Sequence, residues 1–137
     1  MDEAKVRALA AEYTAAWSSQ KAEMVASHYA PTGSLRINDG APSVGRDAIT
    51  ASAQNFMTAF PDMVVVMDSL RMTGNHAVYH WTFTGTNTGP GGGGRAVKFS
   101  GYEEWTLADG VIARSLGHFD QADYDRQLGN RYPSNLR

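Results

Sequence analysis

Apolar and polar residues alternate with a period of two along the second half of the chain, which is the pattern of half-buried β-strands. Four such segments follow one another, and a tight turn at Ala108-Asp109-Gly110 separates the last two. The segments are Met63–Met72, His76–Thr88, Arg95–Leu107 and Val111–Phe119. We therefore predict four long antiparallel strands in one strongly curved sheet.

The third of these segments contains a glycine, Gly101, at its centre. A glycine inside a strand often marks a bulge or a sharp bend. We predict that Gly101 curls the sheet around a cavity, and that its neighbours on the same face, Phe99, Glu103 and Trp105, are buried.

The first half of the chain has helical spacing instead, with apolar residues three and four positions apart. This pattern predicts helices at Asp2–Ser18, at Lys21–Tyr29 and from Val44 to about Phe60, with a short strand at Ser34–Ile37. We expect the three helices to close over the sheet. The predicted buried face of the first helix consists of Val6, Leu9, Ala10, Tyr13, Ala16 and Trp17, and that of the third of Ile49, Ala53, Phe56, Met57 and Phe60.

Composition limits the classes of function. A chain of 137 residues is one domain of ordinary size, so we predict a single domain over 1–137. The net charge of −2 and the lack of a basic block argue against nucleic acid or a membrane surface as partner. No apolar run approaches the ~20 residues that span a bilayer. The polar start of the chain lacks the apolar region of a signal peptide, so we expect a cytoplasmic protein.

Metal and phosphate sites are not indicated by the motifs. The chain has no cysteine, and its four histidines, at positions 28, 76, 80 and 118, do not have a familiar metal-ligand spacing. The glycine-rich segment Gly89–Gly94 lacks the lysine and the following helix of a phosphate-binding loop. We therefore predict no metal site.

Glu103 is the sharpest candidate for chemistry. A carboxylate on a buried strand face is costly unless it is paired or protonated, and burial raises its pKa towards the range of general acid/base catalysis. The alternative is a structural ion pair with Arg114, because a turn at Asp109-Gly110 that sets Thr106 near Val111 makes Glu103 and Arg114 face one another. The two interpretations are compatible, since Arg114 can also hold a substrate carboxylate or an enolate.

Further candidates carry weaker signals. Asp120 is either the N-cap of a C-terminal helix or a base at the cavity mouth, and His118, on the same strand face, can pass protons near neutral pH. The remaining candidates are expected to line a pocket for a flat apolar molecule or to orient it. They are Tyr13, Trp17, Asn55, Phe56, His80, Tyr102 and Trp105.

The order of predicted elements resembles the cone-shaped α+β barrel of nuclear transport factor 2 and ketosteroid isomerase, and within it the SnoaL-like polyketide cyclase family. The resemblance covers nearly the whole chain, and five segments carry it. They are Phe60-Pro61-Asp62, Trp81–Gly89, Phe99–Glu103, Ala108–Ile112 and Phe119-Asp120-Gln121 with Gln127-Leu128-Gly129. The resemblance implies an NTF2-like fold with three N-terminal helices on the concave face of the sheet, and a homodimer formed through the outer face.

The resemblance also implies acid/base chemistry without a metal or a cofactor. In the aldol cyclases of this family, a carboxylate on the last strand removes a proton next to a carbonyl group. Counted back from Phe119-Asp120-Gln121, that position is Gly117 in this chain, and Arg114-Ser115-Leu116 replaces the usual Glu-His-Trp. A bulge that shifts the register is the alternative, in which case His118 or Asp120 supplies the function.

Three hypotheses follow. The first is a cofactor-free enzyme of the cyclase or isomerase type that acts on a small apolar ketone or polyketide-like molecule. The second is a small-molecule-binding domain without chemistry, which the glycine at position 117 favours. The third is an epoxide hydrolase, which needs two carboxylates around an arginine and would use Glu103, Arg114 and Asp120. A raised carboxyl pKa in a cavity of a few hundred Å³ would favour the enzyme.

Overall fold

The computed structural model describes residues 2–129, which form a mixed α+β fold. The helices are α1 (Glu3–Trp17), α2 (Ala22–Ala26), α3 (Arg46–Ala59) and α4 (Gln121–Gln127). The strands are β1 (Tyr29–Ile37), β2 (Ser43–Val44), β3 (Val64–Thr73), β4 (His76–Thr86), β5 (Ala96–Ala108) and β6 (Val111–Phe119). The predicted fold class is confirmed, and the four long strands lie where the period-two pattern placed them.

Within residues 2–129 the sheet has six strands in the order β2-β1-β6-β5-β4-β3. The four long strands and the strand at Ser34–Ile37 were predicted, whereas β2 was not. β3 to β6 are antiparallel, whereas β1 lies parallel to β6 and pairs with the short edge strand β2. The segment 30–33, which contains Pro31 and Gly33, belongs to β1, although its composition indicated a turn. The pairing of β1 with β6 is irregular there, and a strand tolerates a proline at such an irregularity.

The helices cover the concave face of the sheet. Asp2 caps α1, because its side chain accepts a hydrogen bond from the backbone N–H of Lys5 at 2.9 Å. All six residues of the predicted apolar face of α1 are buried, and so are four of the five predicted on α3, with Phe56 half-buried. In residues 2–129, no helix is long and apolar enough to cross a membrane.

Gly101 does not form a bulge, so this part of the prediction was wrong, whereas its neighbours Phe99, Glu103 and Trp105 are buried as predicted. The register of β5 with β4 is continuous through Gly101, and its pairing with β6 runs from Gly101 to Thr106 without a shift. Among β3 to β6, the shifts lie between Met67 and Ser69 and between Thr106 and Leu107. Glycine is required at position 101 for a different reason, which is close packing. A Cβ there would overlap the indole of Trp81 and the backbone oxygen of His118.

The hairpin between β5 and β6 sets the register of the candidate residues. Asp109 and Gly110 both have positive φ, 53° and 83°, as a tight two-residue turn requires. The turn closes between Ala108 and Val111, and the register then shifts before Thr106. The resulting register places Gly117 opposite Glu103.

Candidate active site

A cavity of about 60 Å³ lies between the helices and the concave face of the sheet. Its lining residues are Trp17, Leu35, Ile37, Phe56, Val65, Tyr79, Trp81, Phe83, Phe99, Glu103, Gly117 and Phe119. Glu103 is the only acidic or basic residue in this set of described residues. The lining includes half-buried side chains such as Ile37, Phe56 and Trp81, whereas Glu103 is only 7% exposed. The cavity is therefore an aromatic pocket with one deep carboxyl group.

Three donors hold one oxygen of the Glu103 carboxyl group. Its Oε1 accepts hydrogen bonds from the Tyr13 hydroxyl at 2.9 Å, the Trp105 indole Nε1 at 3.0 Å and the Ser115 hydroxyl at 2.7 Å. Trp105 shares the inward face of β5 with Glu103, Ser115 lies opposite Trp105 on β6, and Tyr13 comes from α1. Within residues 2–129, Oε2 receives no hydrogen bond. The second oxygen is therefore available to a molecule in the cavity.

Burial dominates the electrostatics of this carboxyl group. Removal from water raises the pKa of Glu103 above its ordinary value of 4.5, and the hydrogen bonds from Trp105, Ser115 and Tyr13 oppose that rise. Among residues 2–129, no ion pair involves Glu103. An unpaired carboxyl group with a raised pKa and three fixed donors is suited to accept and return a proton.

Two tyrosines extend the network away from the cavity. Because Tyr13 donates its hydroxyl proton to Glu103, Tyr29 must be the donor in the 2.9 Å contact between the two hydroxyl groups. Burial, and then the nearby Glu103, raise the pKa of both tyrosines well above the usual value. Both phenols therefore stay protonated and act as donors rather than as bases.

Tyr79 forms part of the cavity wall, but its hydroxyl group is already used. Its ring stacks on Trp105 with 4.8 Å between ring centroids. The Thr14 hydroxyl donates to the backbone oxygen of Ala10 at 2.7 Å, so Tyr79 is the donor in its 2.6 Å contact with Thr14 Oγ1. The proton of the Tyr79 hydroxyl thus points to α1 rather than to a bound molecule.

The structure brings four of the predicted substrate-binding residues to the site. Trp17 and Phe56 line the cavity, as expected for its apolar wall. Tyr13 and Trp105 contact the Glu103 carboxyl group instead.

Four other candidates lie on the outer face of the sheet. Tyr102 packs between His80 and His118, with ring centroids 5.4 Å and 4.7 Å away, and the His118 Nε2 lies 2.7 Å from the Glu104 carboxyl group, within hydrogen-bond distance. Arg114 is exposed opposite Thr106. The predicted pairing of Glu103 with Arg114 was wrong, because the hairpin register turns these two side chains to opposite faces.

Asp120 and Asn55 are also outside the cavity. The Asp120 side chain accepts a hydrogen bond from the backbone N–H of Asp123 at 3.0 Å, so the N-cap interpretation is confirmed. Asn55 is exposed on α3. The constellation of Glu103, Arg114 and Asp120 that an epoxide hydrolase would need is therefore not assembled.

Sequence reasoning missed Ser115, Tyr79 and Trp81 as parts of the site. Ser115 had a usable signal, since it alternates with Gly117 and Phe119 and must share their face. Trp81 and Tyr79 had the same signal on β4, because they alternate with His80 and must share a face with Phe83. Among residues 2–129, no group of three or more His, Asp or Glu side chains is placed to hold a metal ion.

Comparisons with known proteins agree with this architecture. The family model of the SnoaL-like domain matches residues 10–115. No curated protein matches the chain. TsrD from Streptomyces laurentii is 23% identical with a TM-score of 0.82, and the match covers 94% of this chain and 98% of that one.

Two further solved structures share the fold. A protein with a ketosteroid isomerase-like fold from Catenulispora acidiphila, solved in complex with trimethylamine, is 15% identical with a TM-score of 0.80, over 89% of this chain and 92% of that one. An NTF2-like protein from Burkholderia pseudomallei is 20% identical with a TM-score of 0.79, over 93% and 98% of the two chains. At these identities the likeness shows the fold alone.

Proposed function

Because the chain belongs to the SnoaL-like domain family, we propose that it is a cofactor-free acid/base enzyme that acts on a small apolar ketone in the aromatic cavity. One observation carries the proposal. Glu103 presents one oxygen to three donors and leaves the other without a donor from residues 2–129, in a pocket that contains no other acidic or basic lining residue of the described chain.

The chemistry needs only this carboxyl group and a carbonyl compound. Oε2 of ionised Glu103 takes a proton from the carbon next to the carbonyl group. The C–H electron pair forms a carbon–carbon double bond, and the carbonyl π pair moves to the oxygen. The proton then returns from Oε2 to the same carbon or to another one. In a cyclase the enolate carbon instead bonds to a second carbonyl carbon, the π pair of that group moves to its oxygen, and this oxygen takes the proton from Oε2.

The size of the cavity restricts the substrate. At roughly 10–15 Å³ for each water-sized occupant, a volume of about 60 Å³ has room for about four to six non-hydrogen atoms. This is well below the few hundred Å³ that would favour the enzyme on volume alone, so the proposal applies to a small substrate and not to a polyketide. No basic side chain from residues 2–129 lines the wall to neutralise an anion, so a small uncharged ketone fits best.

Deuterium exchange tests the proposal directly. The protein should accelerate α-proton exchange of cyclopentanone in D₂O, followed by proton NMR. Glu103→Gln keeps the shape of the carboxyl group and should reduce the catalysed rate by about 10² to 10⁴-fold. The matched control is Glu104→Gln, one position along β5 on the outer face, which should retain the wild-type rate. Exchange that survives Glu103→Gln would refute the assignment.

A binding domain without chemistry is the second candidate. The glycine at position 117 and the small cavity support it. Its signature would be saturable binding of cyclopentanone with no acceleration of exchange.

We also propose that the protein forms a homodimer and is located in the cytoplasm. Val64 and Val66, on the edge strand β3, are 47% and 53% exposed, which is compatible with a subunit contact through the outer face. Light scattering of the wild-type protein and of Val66→Lys tests the dimer, since a charge in the contact should give a monomer.

A further inference from the structure

Negative charge develops on the substrate oxygen during proton removal, and the cavity must stabilise it without a cation. The hydroxyl groups and N–H groups of Tyr13, Trp105, Ser115 and Tyr79 are committed to Glu103 or to Thr14. Two of the residues that line the cavity, Trp17 and Trp81, have buried indole N–H groups with no hydrogen-bond partner within residues 2–129. The Trp17 group lies near enough to the Tyr13 hydroxyl to lower its pKa, which leaves Trp81. A buried donor without a partner costs free energy, and an acceptor atom that reaches it recovers that cost.

Trp81 is the better placed of the two. It lies opposite Gly101 on the inward face, and Glu103 is the next inward residue of β5. A Cβ on Gly101 would stand 2.6 Å and 2.9 Å from Cζ2 and Cη2 of the indole, so the ring edge next to Nε1 rests on β5. The step from Gly101 to Glu103 is about 7 Å along the strand. One ketone can span that gap with a contact of about 3 Å at each end.

We propose that the Trp81 indole N–H donates a hydrogen bond to the carbonyl oxygen of the substrate and stabilises the enolate that Glu103 generates. This inference rests on the proposed function and makes its substrate class specific: an uncharged ketone whose oxygen and acidic carbon reach Trp81 and Glu103 together. Gly101 is then a positioning residue, because only a residue without a Cβ lets the indole lie against β5.

The test uses the intact wild-type protein labelled with ¹⁵N at its three tryptophans. Cyclopentanone is titrated in, with methylenecyclopentane as a hydrocarbon of the same shape that cannot accept a hydrogen bond. The Trp81 indole resonance, assigned by its loss in Trp81→Phe, should move downfield with the ketone and not with the hydrocarbon. The ketone should bind about tenfold more tightly than the hydrocarbon, and this ratio should fall to near one in Trp81→Phe.

Kinetics provide the second measurement. Removal of an oxyanion donor typically costs about 10² to 10³-fold in kcat, so Trp81→Phe should lower catalysed exchange by that factor, whereas Glu104→Gln, on the outer face, should leave it unchanged. An unmoved Trp81 resonance, or an unchanged ketone-to-hydrocarbon ratio, overturns the assignment of Trp81 even if exchange is catalysed. A shifted resonance without exchange supports Trp81 and contradicts only the enzymatic proposal.

Discussion

Glu103 lies directly opposite Gly117 in the antiparallel pair of β5 and β6, and a Cβ added to Gly117 would stand 3.8 Å from Cγ of Glu103. The family resemblance places the usual carboxylate at position 117 of the last strand. In this chain the residue at that position is a glycine without a side chain, and the carboxyl group of Glu103, from the neighbouring strand β5, occupies the adjoining part of the cavity. The departure from the motif therefore leaves the site with one acid, supplied by β5 instead of β6.

Gly117→Ala is the most direct test of the importance of this space. The added methyl group would meet only ordinary contacts, the closest at 3.4 Å, so the variant should fold. Relief from the entropic cost of glycine in a strand should stabilise it by about 0.5–1 kcal/mol. The methyl group fills space beside Glu103, so exchange of cyclopentanone should fall about tenfold, and that of the smaller acetone should fall less.

Gly101→Ala is the contrasting substitution on the same sheet. A Cβ there overlaps Trp81 and backbone, so we expect a loss of about 1–3 kcal/mol in urea unfolding. Two results would contradict this account of the cavity. One is an equal loss of stability in Gly101→Ala and Gly117→Ala, and the other is an equal fall in the exchange rates of cyclopentanone and acetone in Gly117→Ala.

The raised pKa of Glu103 predicts a specific pH dependence of stability. The folded protein holds the Glu103 proton to higher pH than the unfolded chain, because burial disfavours the charged form. The free energy of unfolding therefore falls as pH rises from the ordinary pKa, 4.5, through the raised one. Glu103→Gln does not titrate, so its stability relative to wild type should increase across that window.

Urea unfolding of both proteins from pH 4 to pH 8 measures this difference. The other carboxyl groups are common to both proteins and cancel in the comparison. A difference that stays constant with pH would show that Glu103 titrates normally and that the carboxyl group is better hydrated than its burial implies.

Ser115→Ala should alter the pH–rate profile rather than abolish activity. Exchange requires ionised Glu103, so the rate should rise with pH through its pKa and then level off. The Ser115 hydroxyl donates to the charged form at 2.7 Å and lowers the pKa, so its removal should move the midpoint to higher pH. Leu116→Ala, on the outer face next to it, is the control and should leave the midpoint in place. A midpoint that moves to lower pH would reverse the proposed role of the bond.

Periodicity predicted the four long strands and the buried face of α1, because in both cases one side of a regular element packs on a core. It also predicted the burial of Glu103, which alternates with apolar neighbours. It did not predict the register of the β5–β6 hairpin, where the turn pairs Val111 with Ala108 instead of Thr106 and a shift between Thr106 and Leu107 moves the register by one more residue. The partners of Glu103 depend on that register, and so Arg114 was chosen in place of Ser115.

Residue type weighed most in the selection of the outer-face candidates, and a predicted register supported only Arg114. Histidine, tyrosine and arginine are frequent in active sites, but His80, Tyr102, His118 and Arg114 follow the strand alternation to the side opposite the cavity. The segment 30–33 shows a second limit. Its proline and glycine indicate a turn locally, whereas pairing with β6 extends β1 through them.

Asp120 provides the last prediction, because its two proposed roles have opposite consequences. As the N-cap of α4 it accepts the backbone N–H of Asp123, and asparagine at this position can accept the same bond. Asp120→Asn should therefore leave the free energy of unfolding unchanged and keep the exchange rate within about twofold of wild type. Asp120→Ala should lose about 1 kcal/mol of stability in urea unfolding, with little change in exchange rate per folded molecule. A catalytic base would behave in the reverse way, with Asp120→Asn inactive at full stability. That result would move the acid/base role from the floor of the cavity to its rim.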